Sequence, residues 1–187
     1  INILSKTKID VVIFEDYDKG VITASFIDKV IQETQRKNIP VAVDPKKKNF
    51  MHYKNVTLMK PNLRELQEGL KLDFENTNTE ALKSAVKTLQ KKNNINMALI
   101  TLSEMGVLLS TGSMQKLIPA HIRNIADVSG AGDTVIAVAA LCLALNLSPE
   151  FIATLSNLAG GLVCEKVGVV PINKEQLLTE AIKVGLL

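Results

Sequence analysis

The chain has 187 residues, of which 47% are apolar, 22% are charged and 4% are aromatic, with no Trp. This composition excludes a disordered chain, which needs low hydrophobicity and a high net charge. The few aromatics disfavour a stacking platform for single-stranded nucleic acid, and a formal net charge of +3 is too small to indicate a nucleic-acid partner. A chain of this length usually forms one domain, so we expect residues 1–187 to form a single domain or most of one.

The sequence predicts neither a membrane span nor a metal framework. Its longest unbroken apolar run is Val135 to Leu145, well short of the ~20 residues that cross a bilayer, and its start shows no signal-peptide pattern. Cys142 and Cys164 lie in apolar stretches, which favours buried thiols in a reducing compartment, and hence the cytoplasm. His52 and His121 stand alone, which favours surface or packing roles over metal ligation.

In the first half of the chain, apolar runs alternate with amphipathic segments. β-Branched runs at 9–14 and 40–43 predict strands on either side of a helix over 23–37, which is the length of one right-handed βαβ unit. The following elements are predicted in order: a strand at 57–59, helices at 62–70 and 79–91, and a strand at 96–101.

In the second half, a hairpin precedes a helical region. The hairpin is predicted over 107–118, and helices are predicted over 132–145, 149–165 and 174–184. Strands that alternate with helices predict a layered α/β domain with a mainly parallel sheet. In such sheets, ligands bind beyond the carboxyl ends of the strands.

The strongest local motif is Asp-Val-Ser-Gly-Ala-Gly-Asp-Thr at 127–134, before a long apolar helix. Gly130 and Gly132 allow a ligand to approach the backbone closely, and a helix start offers free N–H groups and a positive dipole end. Asp133 would lie in the first turn, where an acid beside a bound phosphate suggests a general base. The alternative is that the glycines only end the preceding loop, before an ordinary helix with an acid in its first turn. The local sequence leaves both readings open.

A second motif places Asn62 and Glu65 three residues apart after a predicted strand. This spacing is typical of a capping pair, with Asn as the N-cap and Glu at the third helical position. Taken alone, the local sequence favours that interpretation. The functional alternative places both side chains near a phosphate and its Mg²⁺, which carboxylates hold mostly through water.

Three further polar clusters follow predicted strands: 16–20, 44–48 and 101–106. Taken alone, the local sequence favours a turn at 101–106 and a solvated loop at 44–48, and contacts to phosphates or an anionic substrate are the alternative for all three clusters. Other phosphate and nucleophile motifs are absent from the sequence. A Gly-Lys dipeptide, a G-x-G-x-x-G run and a G-x-S-x-G elbow do not occur, which argues against a Walker A loop, a dinucleotide fold and an α/β-hydrolase.

Together, the five clusters resemble those of the ribokinase-like (PfkB) carbohydrate kinases. The signature of that family, an Asp and a small or hydroxyl residue before Gly-Ala-Gly-Asp, is matched over 127–133, and its Asn-x-x-Glu motif is matched by Asn62 and Glu65. The resemblance is greatest to the D-glycero-β-D-manno-heptose 7-phosphate kinases. Ser103, where most members have Gly, is shared with that subgroup, whereas Asp18 stands where a small residue is expected.

The resemblance implies a ribokinase-like three-layer αβα fold with a mainly parallel sheet. The resemblance covers only the later part of the family's fold, so we expect the chain to lack the N-terminal part and the β-sheet lid of such kinases, which agrees with its start at Ile1 without Met. The implied activity is ATP-dependent phosphorylation of heptose 7-phosphate at its anomeric hydroxyl, on the route to the lipopolysaccharide core. The full-length protein is expected to form a homodimer. The alternatives are another sugar or nucleoside kinase, or an inactive nucleotide-binding module.

The resemblance also implies roles for individual residues. Asp133 would be the catalytic base, and the amides of Gly130, Ala131 and Gly132 would form an anion hole for the transferred phosphoryl group, a type of stabilisation that often dominates catalysis. Asn62 and Glu65 would organise Mg²⁺ and the phosphates, with Glu65 acting through water.

Further implied ligand contacts involve three groups of residues. Thr101, Ser103 and Gly106 would line the phosphates and ribose of ATP, and Asn157 would lie near the adenine. Asp127 and the carbonyl of Ser129 would belong to a monovalent-cation site, as in some relatives. Lys46, for the 7-phosphate, and Asp16 would contact the substrate.

Overall fold

Six strands and seven α-helices form the part of the chain that the structure, a computed structural model, describes. The described residues are 2–112, 114–121 and 124–187, so Ile1, Ser113 and residues 122–123 lie outside it. The strands are β1 (Val12–Glu15), β2 (Val41–Asp44), β3 (Leu58–Met59), β4 (Met97–Thr101), β5 (Val107–Thr111) and β6 (Gln115–Ile118). The helices are α1 (Asn2–Lys6), α2 (Ala24–Arg36), α3 (Leu63–Leu70), α4 (Thr79–Asn93), α5 (Ala131–Ala144), α6 (Pro149–Val163) and α7 (Lys174–Lys183). Short 3₁₀ helices span Lys47–His52 and Ser103–Met105.

The six strands form one sheet in the order β1-β2-β3-β4-β5-β6. β1 to β4 are parallel, whereas β5 and β6 continue the sheet as an antiparallel hairpin. The predicted mainly parallel sheet is therefore confirmed. The register pairs Glu15 with Asp44, so the carboxyl ends of β1 and β2 bring two acids side by side at one edge of the sheet.

Helices cover both faces of the sheet. Val41 and Val43 of β2 pack into a core that includes residues of α2, α3 and α4. Ala42, which points the other way, packs into a second core that includes residues of α5 and α6. Strands buried on both faces are typical of parallel sheets, and the arrangement confirms the predicted three-layer αβα fold. α7 packs on α6.

Polar residues at the helix starts explain why most predicted helix boundaries are close to the observed ones. Side-chain caps form at Thr23, Asn62, Asn78, Ser148 and Asn173, each accepting a hydrogen bond from the backbone N–H three residues on. Such caps satisfy donors that a helix start otherwise leaves unpaired.

The prediction differs from the structure in the first fifty residues. β1 covers Val12–Glu15 instead of 9–14, because its ladder is set by pairing with Val41–Asp44. α1 and the 3₁₀ helix at Lys47–His52 were not predicted. Both are too short to show a helical period, which needs a window of roughly 11 residues or more.

Within the described residues, no helix combines the length and apolar character needed to cross a membrane. Cys142 and Cys164 are buried free thiols, as predicted, and burial raises the pKa of both. The described part of the chain also contains no group of three His, Cys, Asp or Glu residues arranged to hold a metal ion.

Candidate active site

The first turn of α5 lies against the carboxyl end of the parallel sheet. Gly130 is the N-cap residue of α5 in the left-handed conformation, with φ +77°, which glycine adopts without strain. No side chain among the described residues caps this helix. The N–H of Ala131 donates a long hydrogen bond of 3.3 Å to the carbonyl of Val128. Asp133 lies in the first turn, as predicted.

Asp133 is contacted from the loop that follows β1. The Tyr17 hydroxyl donates a hydrogen bond of 2.9 Å to Asp133 Oδ1, and this bond raises the pKa of Tyr17 to about 12. Burial, followed by the charges of Asp133 and Asp44, raises the pKa of Glu15. The candidate base therefore belongs to a group of acids that includes the ends of β1 and β2.

A buried ion pair lies beside these acids. Lys60, directly after β3, is only 3% exposed, and its Nζ lies 3.1 Å from Asp44 Oδ2. Burial raises the pKa of Asp44, and the charges of Lys60 and Lys46 offset only part of this increase. The sequence motifs assign Lys60 no role. The one signal in the sequence is its position immediately after a short apolar strand.

The start of α3 carries the predicted capping pair. The Glu65 N–H donates to Asn62 Oδ1 at 2.8 Å, and the Asn62 N–H donates to Glu65 Oε2 at 2.9 Å, so the capping box is confirmed. Lys46 pairs with Glu65 Oε1 and lies 3.9 Å from Asp44 Oδ1. Burial lowers the pKa of Lys46, but the hydrogen bond to Glu65 and the charges of the neighbouring acids together outweigh burial, so that pKa is raised. Lys46 and Glu65, assigned to different ligands by the resemblance, form one cluster.

Asp127 holds the loop that precedes α5. Its Oδ1 accepts from the N–H of Ser129 at 2.9 Å and from the hydroxyl of Ser129 at 2.8 Å. Its Oδ2 accepts from the N–H of Gly168 at 2.9 Å. These bonds, the Ser129 N–H first, lower the pKa of Asp127. Asp127 thus connects this loop to the segment after α6.

Asp16, predicted to contact substrate, is buried among protein donors. Asn49 Nδ2 donates to Asp16 Oδ2 at 2.9 Å and the Tyr53 hydroxyl donates to the same oxygen at 2.7 Å. The N–H of Asp18 donates to Oδ1 at 2.9 Å. Both oxygens therefore anchor the loop after β1, in which Asp18 has a positive φ of +54°.

The predicted nucleotide residues lie around the end of β4 and the β5–β6 hairpin. Thr101 ends β4, and Ser103 follows with φ +53°. Gly106 has φ +92°, and a Cβ there would lie 2.1 Å from the carbonyl oxygen of Ile118, so this close approach requires glycine. Asn157 on α6 donates to the carbonyl of Pro119 at 3.0 Å. The structure therefore brings Gly106 and Asn157 to the same segment after β6.

A family model covers most of these elements. Residues 17–176 match that of the pfkB family carbohydrate kinases. The chain belongs to this family. The match includes Tyr17, Lys60 and Asp133, and it ends within α7.

Relatives of this pfkB-family chain include "Bifunctional protein HldE" of Koribacter versatilis, 39% identical over 169 residues, which are 90% of the chain and 34% of that protein. HldE of Campylobacter jejuni is also 39% identical, over 166 residues that cover 89% of the chain and 35% of the relative. The chain thus spans about a third of the length of these curated relatives.

Solved structures share the fold at low sequence identity. Phosphofructokinase-2 from Escherichia coli, in complex with potassium, superposes with a TM-score of 0.79 at 18% identity, covering 88% of this chain and 53% of that one. Ribokinase from Arabidopsis thaliana, complexed with ribose and ATP, gives a TM-score of 0.75 at 20% identity, covering 84% and 52%. These likenesses establish a ribokinase-like fold for the pfkB-family chain.

Proposed function

We propose that the protein is a sugar kinase that transfers a phosphoryl group from ATP to D-glycero-β-D-manno-heptose 7-phosphate at the anomeric hydroxyl. The observation that carries the proposal is the position of Asp133 in the first turn of α5, at the carboxyl end of the sheet, where no described side chain caps the helix. The similarity to HldE proteins supports the heptose substrate. We further propose a cytoplasmic location and a homodimeric full-length protein.

In this proposal, Asp133 takes the proton of the anomeric hydroxyl while that oxygen bonds to the γ-phosphorus and the bond to the ADP oxygen breaks. Its Oδ1 already accepts a hydrogen bond from the Tyr17 hydroxyl, which supports a role in accepting one from the sugar hydroxyl. The backbone of Gly130, Ala131 and Gly132 stabilises the negative charge on the transferred group, because helix-start N–H groups are fixed in advance of the reaction.

The residues present fit ATP and Mg²⁺ held mainly through phosphate and water. When bound, ATP supplies the phosphoryl group and Mg²⁺ neutralises phosphate charge. Asp44 Oδ1 is buried and accepts no hydrogen bond from the described residues, although Lys46 Nζ lies 3.9 Å away, so this oxygen can accept from a water that binds Mg²⁺. Both oxygens of Glu65 accept hydrogen bonds from the protein, so a water-mediated role suits it better than direct ligation. Thr101, Ser103, Gly106 and Asn157 complete the proposed nucleotide site.

Two other ligand roles belong to the same proposal. Lys46 binds the 7-phosphate by exchanging its contact with Glu65 for one with the substrate, and Asp16 holds the adjoining loop in place. A monovalent cation is bound near Asp127 and the carbonyl of Ser129, where the lowered pKa keeps the Asp127 carboxylate charged.

The test is steady-state kinetics of the intact protein and of Asp133→Asn. The variant should lose at least about 1,000-fold in kcat and bind ATP as the wild type does. Turnover that survives in Asp133→Asn would refute the base assignment. A panel of heptose 7-phosphate, ribose, fructose and nucleosides tests the substrate. Greatest kcat/KM on a neutral sugar would refute the heptose assignment, and tight ATP binding without transfer to any acceptor would indicate an inactive module.

A further inference from the structure

Lys60 is a lysine in an unusual environment. It is 3% exposed, and lysines are almost never buried to this extent unless paired. Its partner is Asp44, whose Oδ2 lies 3.1 Å from Lys60 Nζ. Asp44 ends β2 and Lys60 follows β3, the neighbouring strand. The ammonium group is therefore held in place by two adjacent strands of the sheet.

The ammonium group lies against the first turn of α5. A Cβ placed on Gly132 would lie 3.4 Å from Lys60 Nζ and 3.9 Å from Asp44 Oδ2. Gly132 immediately precedes Asp133. Because the N-terminus of a helix carries a partial positive charge, two sources of positive potential meet at Gly132, the residue directly before the candidate base.

Stability alone explains this arrangement poorly. Replacing a buried ion pair by apolar side chains of similar volume is often neutral or stabilising. Two positive centres beside a carboxylate suit a different purpose, which is to hold a group with several negative charges. The ammonium group has three donors and binds phosphate as a point charge. In a site of low dielectric, such a charge acts more strongly than in water.

We propose that Lys60 is a catalytic residue that contacts the phosphoryl group during transfer, and that Asp44 is its positioning residue. This inference rests on the kinase function proposed above and adds a side-chain cation to the backbone anion hole of α5. Lys60 stabilises negative charge on the transferred group opposite the Gly132 backbone. Asp44 fixes the direction in which the ammonium group points.

The first experiment compares Lys60→Met with the wild type in the intact protein. We expect kcat to fall at least about 100-fold. In titration calorimetry with Mg²⁺, the variant should bind a non-hydrolysable ATP analogue about tenfold more weakly and bind ADP unchanged, because only the analogue carries the third phosphate. Lys83→Met is the matched control. Lys83 lies on α4, where its side chain is 37% exposed and its Nζ pairs with Glu80 Oε1 at 2.9 Å, so kinetics and binding should match the wild type.

Because Lys60→Met leaves the Asp44 charge buried and unpaired, a second set of variants separates folding from chemistry. Asp44→Asn should lower kcat about tenfold. The double variant Lys60→Met/Asp44→Asn removes both charges and should have the kcat of Lys60→Met alone, because Asp44 acts through Lys60.

Two results would overturn the inference. One is a Lys60→Met or double variant that keeps the wild-type kcat. The other is equal weakening of ADP and of the ATP analogue, which would indicate a general structural effect. A wild-type protein that phosphorylates no sugar would instead refute the proposed function, and the difference between the two nucleotides would still test Lys60.

Discussion

The starts of α3 and α5 lie at the same edge of the sheet but are completed in different ways. α3 is capped by its own side chains, because Asn62 and Glu65 exchange hydrogen bonds with each other's backbone. α5 begins at Gly130 and has no side-chain cap among the described residues. In place of a capping residue, a buried ammonium group from Lys60 lies beside its first turn.

This difference separates a helix start that is satisfied locally from one that is left for a ligand. A capping box uses the donors that an anion would otherwise bind. A glycine N-cap leaves room for an anion and brings the helix dipole to bear on it. Side chains thus stabilise the start of α3, whereas at the start of α5 an acid and a cation lie beside backbone N–H groups that no described side chain caps.

The largest effect is expected when the open start of α5 is filled. In Gly132→Ala, the new methyl group would lie 3.4 Å from Lys60 Nζ and occupy the space we assign to the phosphoryl group. We expect kcat to fall at least about 100-fold. Stability should hold or rise by up to about 1 kcal/mol, since Ala favours a helix over Gly. Steady-state kinetics and urea unfolding measure the two quantities.

Gly160→Ala is the matched control on α6. Its Cβ would lie 2.6 Å from Val135 Cγ2, so this variant should lose about 1–3 kcal/mol of stability through overpacking. The folded protein should keep kcat within about threefold of the wild type. If Gly132→Ala behaves in the same way, with stability lost and kcat retained, the start of α5 is a packing feature and not an anion site.

The next effect concerns the capped start of α3. Asn62→Ala removes the cap and should cost about 1 kcal/mol of stability. If Asn62 also organises the nucleotide, kcat/KM for MgATP should fall about tenfold. Ser148→Ala removes the equivalent cap of α6, where Ser148 Oγ accepts from the Phe151 N–H, and should cost similar stability with unchanged kinetics. If both variants lose stability and keep wild-type kinetics, Asn62 only caps α3 and does not organise the nucleotide.

The stability that the loop before α5 contributes to the protein should depend on pH, because Asp127 titrates. Because the folded state lowers the pKa of Asp127 from its usual 3.8, its contribution to stability is complete above that pH and is lost as the pH falls through the lower folded value. Asp127→Asn should therefore be less stable than the wild type at neutral pH. The difference in stability between the variant and the wild type should disappear as the pH falls below 3.8. Urea midpoints measured from neutral pH to below pH 3.8 test this, and a difference that does not change with pH would contradict the assignment.

The smallest effect is expected at Tyr17. Its hydroxyl occupies Asp133 Oδ1, where we place the sugar hydroxyl, so the two compete. Tyr17→Phe should lower KM for the sugar about threefold and leave kcat unchanged, as expected for one exposed hydrogen bond. A large fall in kcat would show instead that Tyr17 orients the base.

Sequence reasoning succeeds where local chemistry determines structure. Thr23, Asn62 and Ser148 are strong N-cap residues, and helices begin directly after each. The glycines before Asp133 place that acid in a first turn by the same local logic. These features depend on neighbours in the chain and are therefore visible in one sequence.

Lys60 was missed because its orientation depends on another strand. A lysine before Pro61 and Asn62 reads as an exposed residue, and only the pairing of β2 with β3 brings it to Asp44. Tyr17 belonged to a noted cluster, but its contact with Asp133 joins residues 116 positions apart. Asp18 and Ser103, which depart from the family's small residue and glycine, both adopt positive φ, a conformation that the sequence alone did not reveal.

The sheet order has a consequence for how the chain folds. Each strand pairs with the next one along the chain, so the sheet can grow by adding neighbours, but each parallel pair must first close a loop that contains a whole connecting segment, which makes parallel pairing slow. One face of that sheet, with Ala42, Leu58 and Leu99, is buried by a core that includes α5 and α6, and both helices leave the ribosome after all six strands. An incomplete chain therefore exposes this apolar face and is vulnerable to aggregation. α5, which carries Asp133, also covers this apolar face of the sheet.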